Sequence, residues 1–173
     1  MTNDRASRER LPSGLRFFDP VALIATFGGA GLLPRAPGTW GSLAALLPAW
    51  LIASSLGPIA LLAGAVVIAV VGAWAADRFA TASGFSDPSP VVIDEVVGQW
   101  LVLCIAPLDP LWYFAGFALF RVADILKPWP ANLADRAVKG GWGIVLDDVI
   151  AALYAAAILY ALIRIFGGAD VFA

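Results

Sequence analysis

A continuous apolar stretch places the strongest restriction on how this chain can fold. Residues 57–76 form a run of twenty residues without a charged side chain, and about 20 apolar residues in a helix are enough to cross a bilayer. Further apolar runs cover 43–56, 96–108, 110–123 and 149–163. Because backbone polar groups must be paired inside hydrocarbon, runs of this kind predict helices.

Composition and turn signals, together with these apolar runs, predict an all-α, polytopic membrane helical bundle. Hydrophobic residues make up 61% of the chain, whereas about 45–50% is usual in soluble domains. Gly57-Pro58 and the proline-containing segment 106–110 predict tight turns that join the runs into helix hairpins. Residues 38–56 contain Pro48 and form either a membrane span or a re-entrant segment. Four or five membrane spans are therefore expected. The alternative is a soluble protein with very apolar helices.

The first residues are unlike the rest of the chain. Residues 1–16 carry four arginines and predict a basic, flexible N-terminal arm, followed by a single domain over 17–173. The arm is long and polar and has no small-residue cleavage site, so it is not typical of a signal peptide. The net charge of −2 gives no indication of nucleic-acid binding.

Acidic residues gather at the edges of the apolar runs. A carboxylate at the centre of a membrane helix costs about 2.5–3.5 kcal/mol, and a bound cation would offset that cost. Predicted helices over 91–107, 111–126 and 144–166 run antiparallel and bring their acidic ends to one side. The layer predicted there consists of Asp94, Glu95, Asp124, Asp147 and Asp148, with Asp87 nearby.

The basic residues orient this layer. All eleven Lys and Arg residues except Arg164 fall on the acidic side of the predicted bundle or at its helix ends. Positive charge is retained on the cytoplasmic side of membrane proteins. The acidic layer is therefore expected to face the cytoplasm.

The residue types that are missing exclude several chemistries. The chain contains no His, which removes imidazole as base, nucleophile or zinc ligand. Its single cysteine, Cys104, cannot form a disulfide within the chain. Cys104 lies in an apolar run and is interpreted as a small hydrophobic residue of a membrane helix.

Two segments place positive charge or free backbone donors near the acids. Arg121, Asp124 and Lys127 follow one another at spacings of three, and Pro128 is expected to end the helix so that Lys127 projects beside Asp124. Three glycines within residues 140–143 precede the last helix and could present N–H groups to an anion. The phosphate-binding candidates of these segments are Arg121, Asp135, Lys139, Gly140 and Gly141.

The span 26–42 is a further candidate for phosphate binding. It holds five glycines and two prolines and offers the hydroxyls of Thr39 and Ser42, although it lacks the end of a Walker A loop. Each motif also has a structural explanation: helix capping for the acids, ion pairs for the cations and close packing for the glycines. Convergence on one side of the membrane favours the functional interpretation.

Four motifs taken together resemble the phosphatidylglycerophosphatase A family. They occur in the family's order within residues 20–165, and the combination is specific although no single piece is. A departure is Ala151-Ala152 after the aspartate pair, where Ala-Gly is expected. The motifs are Gly31-Leu-Leu-Pro34 with Ala36-Pro37-Gly38-Thr39-Trp40-Gly41-Ser42, Ile93-Asp94-Glu95-Val-Val-Gly98, Phe120-Arg121-Val-Ala-Asp124-Ile-Leu-Lys127-Pro128-Trp129-Pro130, and Gly140-Gly141-Trp-Gly143-Ile-Val-Leu-Asp147-Asp148.

The resemblance implies an integral enzyme of the bacterial inner membrane that depends on Mg²⁺. Its phospholipid substrate would be phosphatidylglycerophosphate, hydrolysed to phosphatidylglycerol and phosphate. The five carboxylates of the layer form the pool from which metal ligands come. Lys127, with Arg121 or Lys139, would offset charge on the phosphoryl oxygens.

Several questions stay open at this level. Attack by water and an aspartyl-phosphate intermediate are both compatible with the residues. The number of metal ions, the lipid selectivity and the oligomeric state are not indicated. Other interpretations are an acid-lined cation transporter, a phosphatase for another phosphorylated lipid, and a phosphotransferase that makes alcohol phospholipids, whose aspartate pattern is absent.

Overall fold

The computed structural model describes residues 11–127, 129 and 140–167, and residues 1–10 of the predicted basic arm lie outside this part. The regular elements found there are helical, as predicted. Chain order gives a short α1, a 3-10 turn over Ala30–Leu32 and five longer helices. The helices are α1 (Pro20–Ala25), α2 (Pro37–Leu56), α3 (Pro58–Ser83), α4 (Ile93–Leu103), α5 (Pro110–Leu126) and α6 (Gly141–Phe166).

Three of these helices, α2, α3 and α6, are long and apolar enough to cross a membrane. Residues 38–56 form part of one unbroken helix in spite of Pro48. The eleven residues of α4 extend only about 16 Å at 1.5 Å per residue, which is too short for a span. Four or five spans were expected, so the described helices provide fewer segments of sufficient length than the apolar runs suggested.

The predicted helix over 91–107 is shorter than expected. It begins at Ile93 and ends at Leu103, because Pro107 disfavours helical geometry before it and a turn follows. Asp109 then caps α5, its Oδ1 accepting from the N–H groups of Leu111 at 2.8 Å and Trp112 at 3.3 Å. Cys104 lies at the end of α4 and packs against the apolar core.

The short helix α4 is the centre of the bundle. It contacts α2, α3, α5 and α6, and the indole N–H of Trp100 donates to the carbonyl of Ala45 in α2 at 3.0 Å. Gly98 faces α5, since a Cβ there would lie 2.4 Å from the Phe120 ring and 3.1 Å from the carbonyl oxygen of Asp148. The outer face of α3, by contrast, exposes Ile59, Leu62, Val66 and Val67, as expected for contact with lipid.

Candidate active site

A polar cavity of about 330 Å³ lies where the N-terminal ends of α2, α4 and α6 meet the C-terminal end of α5. All five carboxylates predicted from the sequence line it. The five share this cavity, while their arrangement as one layer facing the cytoplasm stays a prediction. The charged residues of its lining are Asp87, Asp94, Glu95, Arg121, Asp124, Lys127, Asp147 and Asp148.

Three of the carboxylates lie close together, and no cationic side chain of the described residues lies among them. Asp94 and Glu95 come from the first turn of α4, and Asp148 comes from the start of α6. One oxygen of each lies within 4.8 Å of the others. Asp94 Oδ1, Glu95 Oε2 and Asp148 Oδ2 are buried and have no hydrogen-bond partner among the described residues. These three residues, called the carboxylate trio below, could hold a divalent cation.

The protonation of the trio residues on α4 reflects this environment. Burial raises the pKa of Asp94 well above its usual value, and the neighbouring charge of Glu95 adds to the rise. Burial also raises the pKa of Glu95 from 4.5 to about 7, although Asp94 and Arg121 partly oppose the change. Since desolvation disfavours the charged form, a cation bound here would restore the carboxylates to their ionised state.

Arg121 connects three helices at the wall of the cavity. Its Nη1 lies 2.6 Å from Asp124 Oδ2, one turn away on α5, and 3.5 Å from Glu95 Oε1 on α4. The same nitrogen donates to the hydroxyl of the fully buried Ser42 on α2 at 3.5 Å. The predicted Arg121–Asp124 neighbourhood is confirmed. Ser42 contacts this arginine, and its proposed contact with phosphate stays a prediction.

Lys127 links the end of α5 to α6. The helix α5 ends at Leu126, as the following proline predicted, and Lys127 caps it with a left-handed φ of 42°. Its ammonium group forms an ion pair with Asp147 Oδ2 on α6. Lys127 and Asp124 line the same cavity.

The adjacent aspartates of α6 therefore have separate partners. Asp147 faces Lys127, while Asp148 belongs to the carboxylate trio. Successive residues on a helix point about 100° apart, so the two aspartates face different neighbours.

Three of the remaining phosphate-binding candidates, Thr39, Gly140 and Gly141, do not line the cavity. The N–H of Gly141 donates to Asp77 Oδ1 on α3 at 3.3 Å, and a Cβ at Gly141 would lie 1.7 Å from the carbonyl oxygen of Ala73. Gly140 and Gly141 thus bring α6 close to α3. Of the described residues that line the cavity, none is Thr39, Gly140 or Gly141. Asp135 and Lys139 lie outside the described residues.

Two residues that the sequence left without a role belong to the site. Asp87, in the segment between α3 and α4, lines the cavity. Gly38, in the first turn of α2, lies so close to the trio that a Cβ there would be 1.9 Å from Glu95 Oε1. A glycine near the start of an apolar helix indicates that another group lies close to the backbone there. The sequence did not show that this group is the Glu95 side chain.

Comparison with known proteins identifies the family. The family model of phosphatidylglycerophosphatase A matches residues 23–163. The phosphatidylglycerophosphatase A of Escherichia coli strain K12 is 40% identical over 150 residues, covering 86% of each chain. The Haemophilus influenzae protein of the same name is 38% identical over 149 residues, covering 86% of this chain and 91% of its own.

A third relative carries a different name. A Bacteroides thetaiotaomicron protein, provisionally named a phosphatidylinositol-3-phosphatase, is 41% identical over 145 residues, covering 79% of this chain and 89% of its own. No solved structure matches the chain. The family match and both relatives of the same name agree with the motifs of the acidic cavity. The chain belongs to the phosphatidylglycerophosphatase A family and is a phosphatase.

Proposed function

We propose that this protein is a Mg²⁺-dependent lipid phosphatase that hydrolyses phosphatidylglycerophosphate to phosphatidylglycerol and phosphate. The reaction would belong to phosphatidylglycerol and cardiolipin synthesis and would take place at the cytoplasmic face of the bacterial inner membrane. The observation that carries the proposal is the carboxylate trio, which has a buried oxygen on each member and lies in one cavity with Arg121 and Lys127. Carboxylates that bind metal beside cations that attract phosphate are the groups this hydrolysis needs.

The donor set fits Mg²⁺. Asp94, Glu95 and Asp148 offer hard oxygen ligands from two helices, and their unpartnered buried oxygens lack the positive charge that would stabilise them. When bound, Mg²⁺ would polarise the phosphoryl group and lower the pKa of a water molecule. Asp124 and Asp147, although predicted as ligands too, are engaged by Arg121 and Lys127. Their suggested role is to hold those cations.

The two cations would bind and orient the phosphate monoester. Arg121 has a planar guanidinium group suited to two phosphoryl oxygens, and Lys127 supplies a compact charge. Each is held by a carboxylate, so each is positioned before the substrate arrives. In-line displacement would form a bond from phosphorus to an attacking oxygen, of water or of a carboxylate that water later releases, as the bond to the glycerol oxygen breaks. The glycerol oxygen leaves as an alcohol with a proton from water, and the cations offset the negative charge on the remaining phosphoryl oxygens.

Exposed tryptophans support a position of the cavity at the membrane surface. Trp40 and Trp142 lie in the first turns of α2 and α6, and Trp74 lies one turn before Asp77 near the end of α3. They are 42%, 53% and 48% exposed, respectively. Tryptophan is enriched at the level of lipid headgroups. A lipid whose tails stay in the bilayer would then bring its phosphate to the depth of the acids.

A second candidate substrate class follows from the Bacteroides relative, whose name refers to a phosphoinositide. Both candidates are phosphate monoesters on a lipid headgroup, so the same cavity could serve either. An acid-lined cation transporter, in contrast, receives no support from the family match. Selectivity between the two lipids would depend on the contacts made by the glycerol or inositol part of the headgroup.

The test is phosphate release by the detergent-purified protein from phosphatidylglycerophosphate and, in parallel, from phosphatidylinositol 3-phosphate. Each assay is run with Mg²⁺ and with EDTA. Release from phosphatidylglycerophosphate that requires Mg²⁺ and exceeds release from the phosphoinositide supports the proposal. A higher rate with the phosphoinositide would assign the second class, and equal release in EDTA would contradict the metal requirement.

A further inference from the structure

Gln99 is a fully buried amide in the middle of α4. Its exposed fraction is 0%, and neither its Oε1 nor its Nε2 has a hydrogen-bond partner among the residues that the structure describes. An amide buried without a partner destabilises a protein by about 1–3 kcal/mol. An apolar residue would avoid this penalty, so the amide at this position points to a partner within the site.

The packing of α4 shows which way Gln99 faces. Gly98 is turned towards Phe120 on α5, and Trp100 is turned towards Ala45 on α2. At about 100° per residue, the residue between them projects into the angle between α5 and α2. This is the side on which Arg121 of α5 donates to Ser42 of α2.

Glu95 lies on the same side of α4. It precedes Gln99 by four residues, so the two side chains are neighbours on one helical face. Its Oε1 lies 3.5 Å from Arg121 Nη1, and a Cβ on Gly38 of α2 would touch it. Gln99 therefore lies one turn deeper than Glu95, along the contact between α2 and α5.

The unpaired atoms in this region are complementary. Glu95 Oε2 is a buried acceptor without a partner, and Arg121 Nε is a buried donor without one, among the described residues. A glutamine amide provides one donor group and one acceptor. The Nε2 of Gln99 can donate to one lone pair of Glu95 Oε2, which leaves the other lone pair of that oxygen for a cation, while the Gln99 Oε1 accepts from Arg121 Nε.

We propose that Gln99 is a positioning residue, whose amide joins the Glu95 carboxylate to the Arg121 guanidinium behind the carboxylate trio. It contacts neither substrate nor the reacting atoms. It fixes the rotation of Glu95, and thereby the oxygen that Glu95 presents to the trio, and it fixes the plane of the Arg121 guanidinium group. The inference rests on the proposed Mg²⁺-dependent phosphatase activity. Groups that orient metal ligands commonly change metal affinity or activity by about 10–100-fold when they are replaced.

The test replaces Gln99 with methionine, which has a similar shape but no amide. The melting temperature of the detergent-solubilised protein is measured over a series of Mg²⁺ concentrations without substrate. We expect Gln99→Met to raise the Mg²⁺ concentration for half-maximal stabilisation about tenfold or more. The melting temperature in EDTA should be unchanged or lower, because Glu95 Oε2 and Arg121 Nε lose the amide that pairs them. An unshifted Mg²⁺ midpoint overturns the proposal.

Tyr113→Phe is the matched control. The Tyr113 hydroxyl is also buried without a partner among the described residues, but this residue packs against Trp50, away from the trio. Its removal should leave the Mg²⁺ midpoint within about twofold of wild type, as expected for a position outside the site. An equal shift in Tyr113→Phe and Gln99→Met would show a general effect of core polarity and overturn the positioning role.

A double-mutant cycle gives a second measurement. If Gln99 acts through Arg121, then Gln99→Met should add less than about twofold to the loss of kcat in an Arg121→Lys background. Fully additive losses of kcat in the double variant would overturn the inference that Gln99 acts through Arg121. If Gln99→Met does not fold, Gln99→Asn keeps an amide but shortens it, and the same midpoint shift is required. Absence of phosphatidylglycerophosphate hydrolysis by the wild type would contradict the proposed function alone, since the Mg²⁺ midpoint is read without substrate.

Discussion

The acidic cavity has two parts in which carboxylates meet different surroundings. In one, Asp94, Glu95 and Asp148 approach one another, and each has a buried oxygen without a partner among the described residues. In the other, Asp124 and Asp147 each form an ion pair with a cation at the C-terminal end of α5. Among the described residues, only Glu95 of the trio has a cation nearby, Arg121 at 3.5 Å, and that cation lies closer to Asp124 at 2.6 Å. The like charges of the trio therefore need a further counter-charge, whereas the ion pairs already contain theirs. In the proposed function, the first part would bind metal and the second would position charge for phosphate.

The largest expected effect comes from removing a carboxylate of the trio. Asp94→Asn should lower kcat on the order of 10³-fold, since loss of metal polarisation removes several kcal/mol of transition-state stabilisation. Phosphate release at saturating Mg²⁺ measures this. The melting temperature in EDTA should be unchanged or higher, because the substitution removes repulsion within the trio. Activity like that of the wild type would exclude Asp94 from the site.

A substitution that crowds the trio without changing any charge tests the role of the trio separately from its charge. A Cβ at Gly38 would lie 1.9 Å from Glu95 Oε1, so Gly38→Ala should displace that carboxylate. Displacements of about 1 Å in a catalytic site can lower activity about 10²-fold. Gly116→Ala is the control, because its Cβ would meet only apolar side chains at 3.2–3.4 Å. Equal activity losses in the two variants would show that α-helical packing, not Glu95, is responsible.

A substitution in the ion-paired part of the cavity should lower kcat less and should not weaken metal binding. Asp124→Asn removes the 2.6 Å contact with Arg121 and should lower kcat about 10-fold to 100-fold through loss of positioning. The Mg²⁺ concentration for half-maximal thermal stabilisation should stay within about twofold of wild type. A midpoint shift as large as that of Asp94→Asn would place Asp124 among the metal ligands and remove the distinction between the two parts.

The smallest effect concerns pH in the absence of metal. Burial raises the pKa of Glu95 from 4.5 to about 7, so the folded protein holds this proton more tightly than the unfolded chain. The resulting stability is present below pH 4.5 and is lost as the pH rises through about 7. The melting temperature in EDTA should therefore fall across this window, with Asp94 contributing in the same direction. Glu95→Gln should flatten the fall, and a melting temperature that rises instead would contradict the assignment.

The helical class of the fold could be predicted from the apolar runs. The acids at the ends of these runs indicated carboxylates on one side of the bundle, and in the structure those of α4, α5 and α6 line one cavity. The length of α4 was overestimated because the apolar run continues through Cys104–Ala106 after the helix has ended. Composition alone cannot distinguish a buried helix from the turn that follows it.

The pairing of individual side chains could not be predicted, because it depends on helix rotation and on local backbone geometry. Lys127, which has a left-handed φ at the end of α5, forms its ion pair with Asp147 of α6. The glycines at 140 and 141 serve the close contact of α6 with α3, where Asp77 accepts a hydrogen bond. Both outcomes arise from contacts between distant segments, which spacing along one helix does not encode.

The most direct test of the two-part cavity is a count of bound metal by electron paramagnetic resonance, with Mn²⁺ in place of Mg²⁺, since both prefer oxygen ligands. The adjacent variants Asp148→Asn and Asp147→Asn provide the comparison. The account predicts that Asp148→Asn weakens Mn²⁺ binding at least about tenfold, while Asp147→Asn changes it less than about twofold. Equal weakening in both variants, or tight Mn²⁺ binding retained in Asp148→Asn, would contradict the assignment of the trio as the metal site.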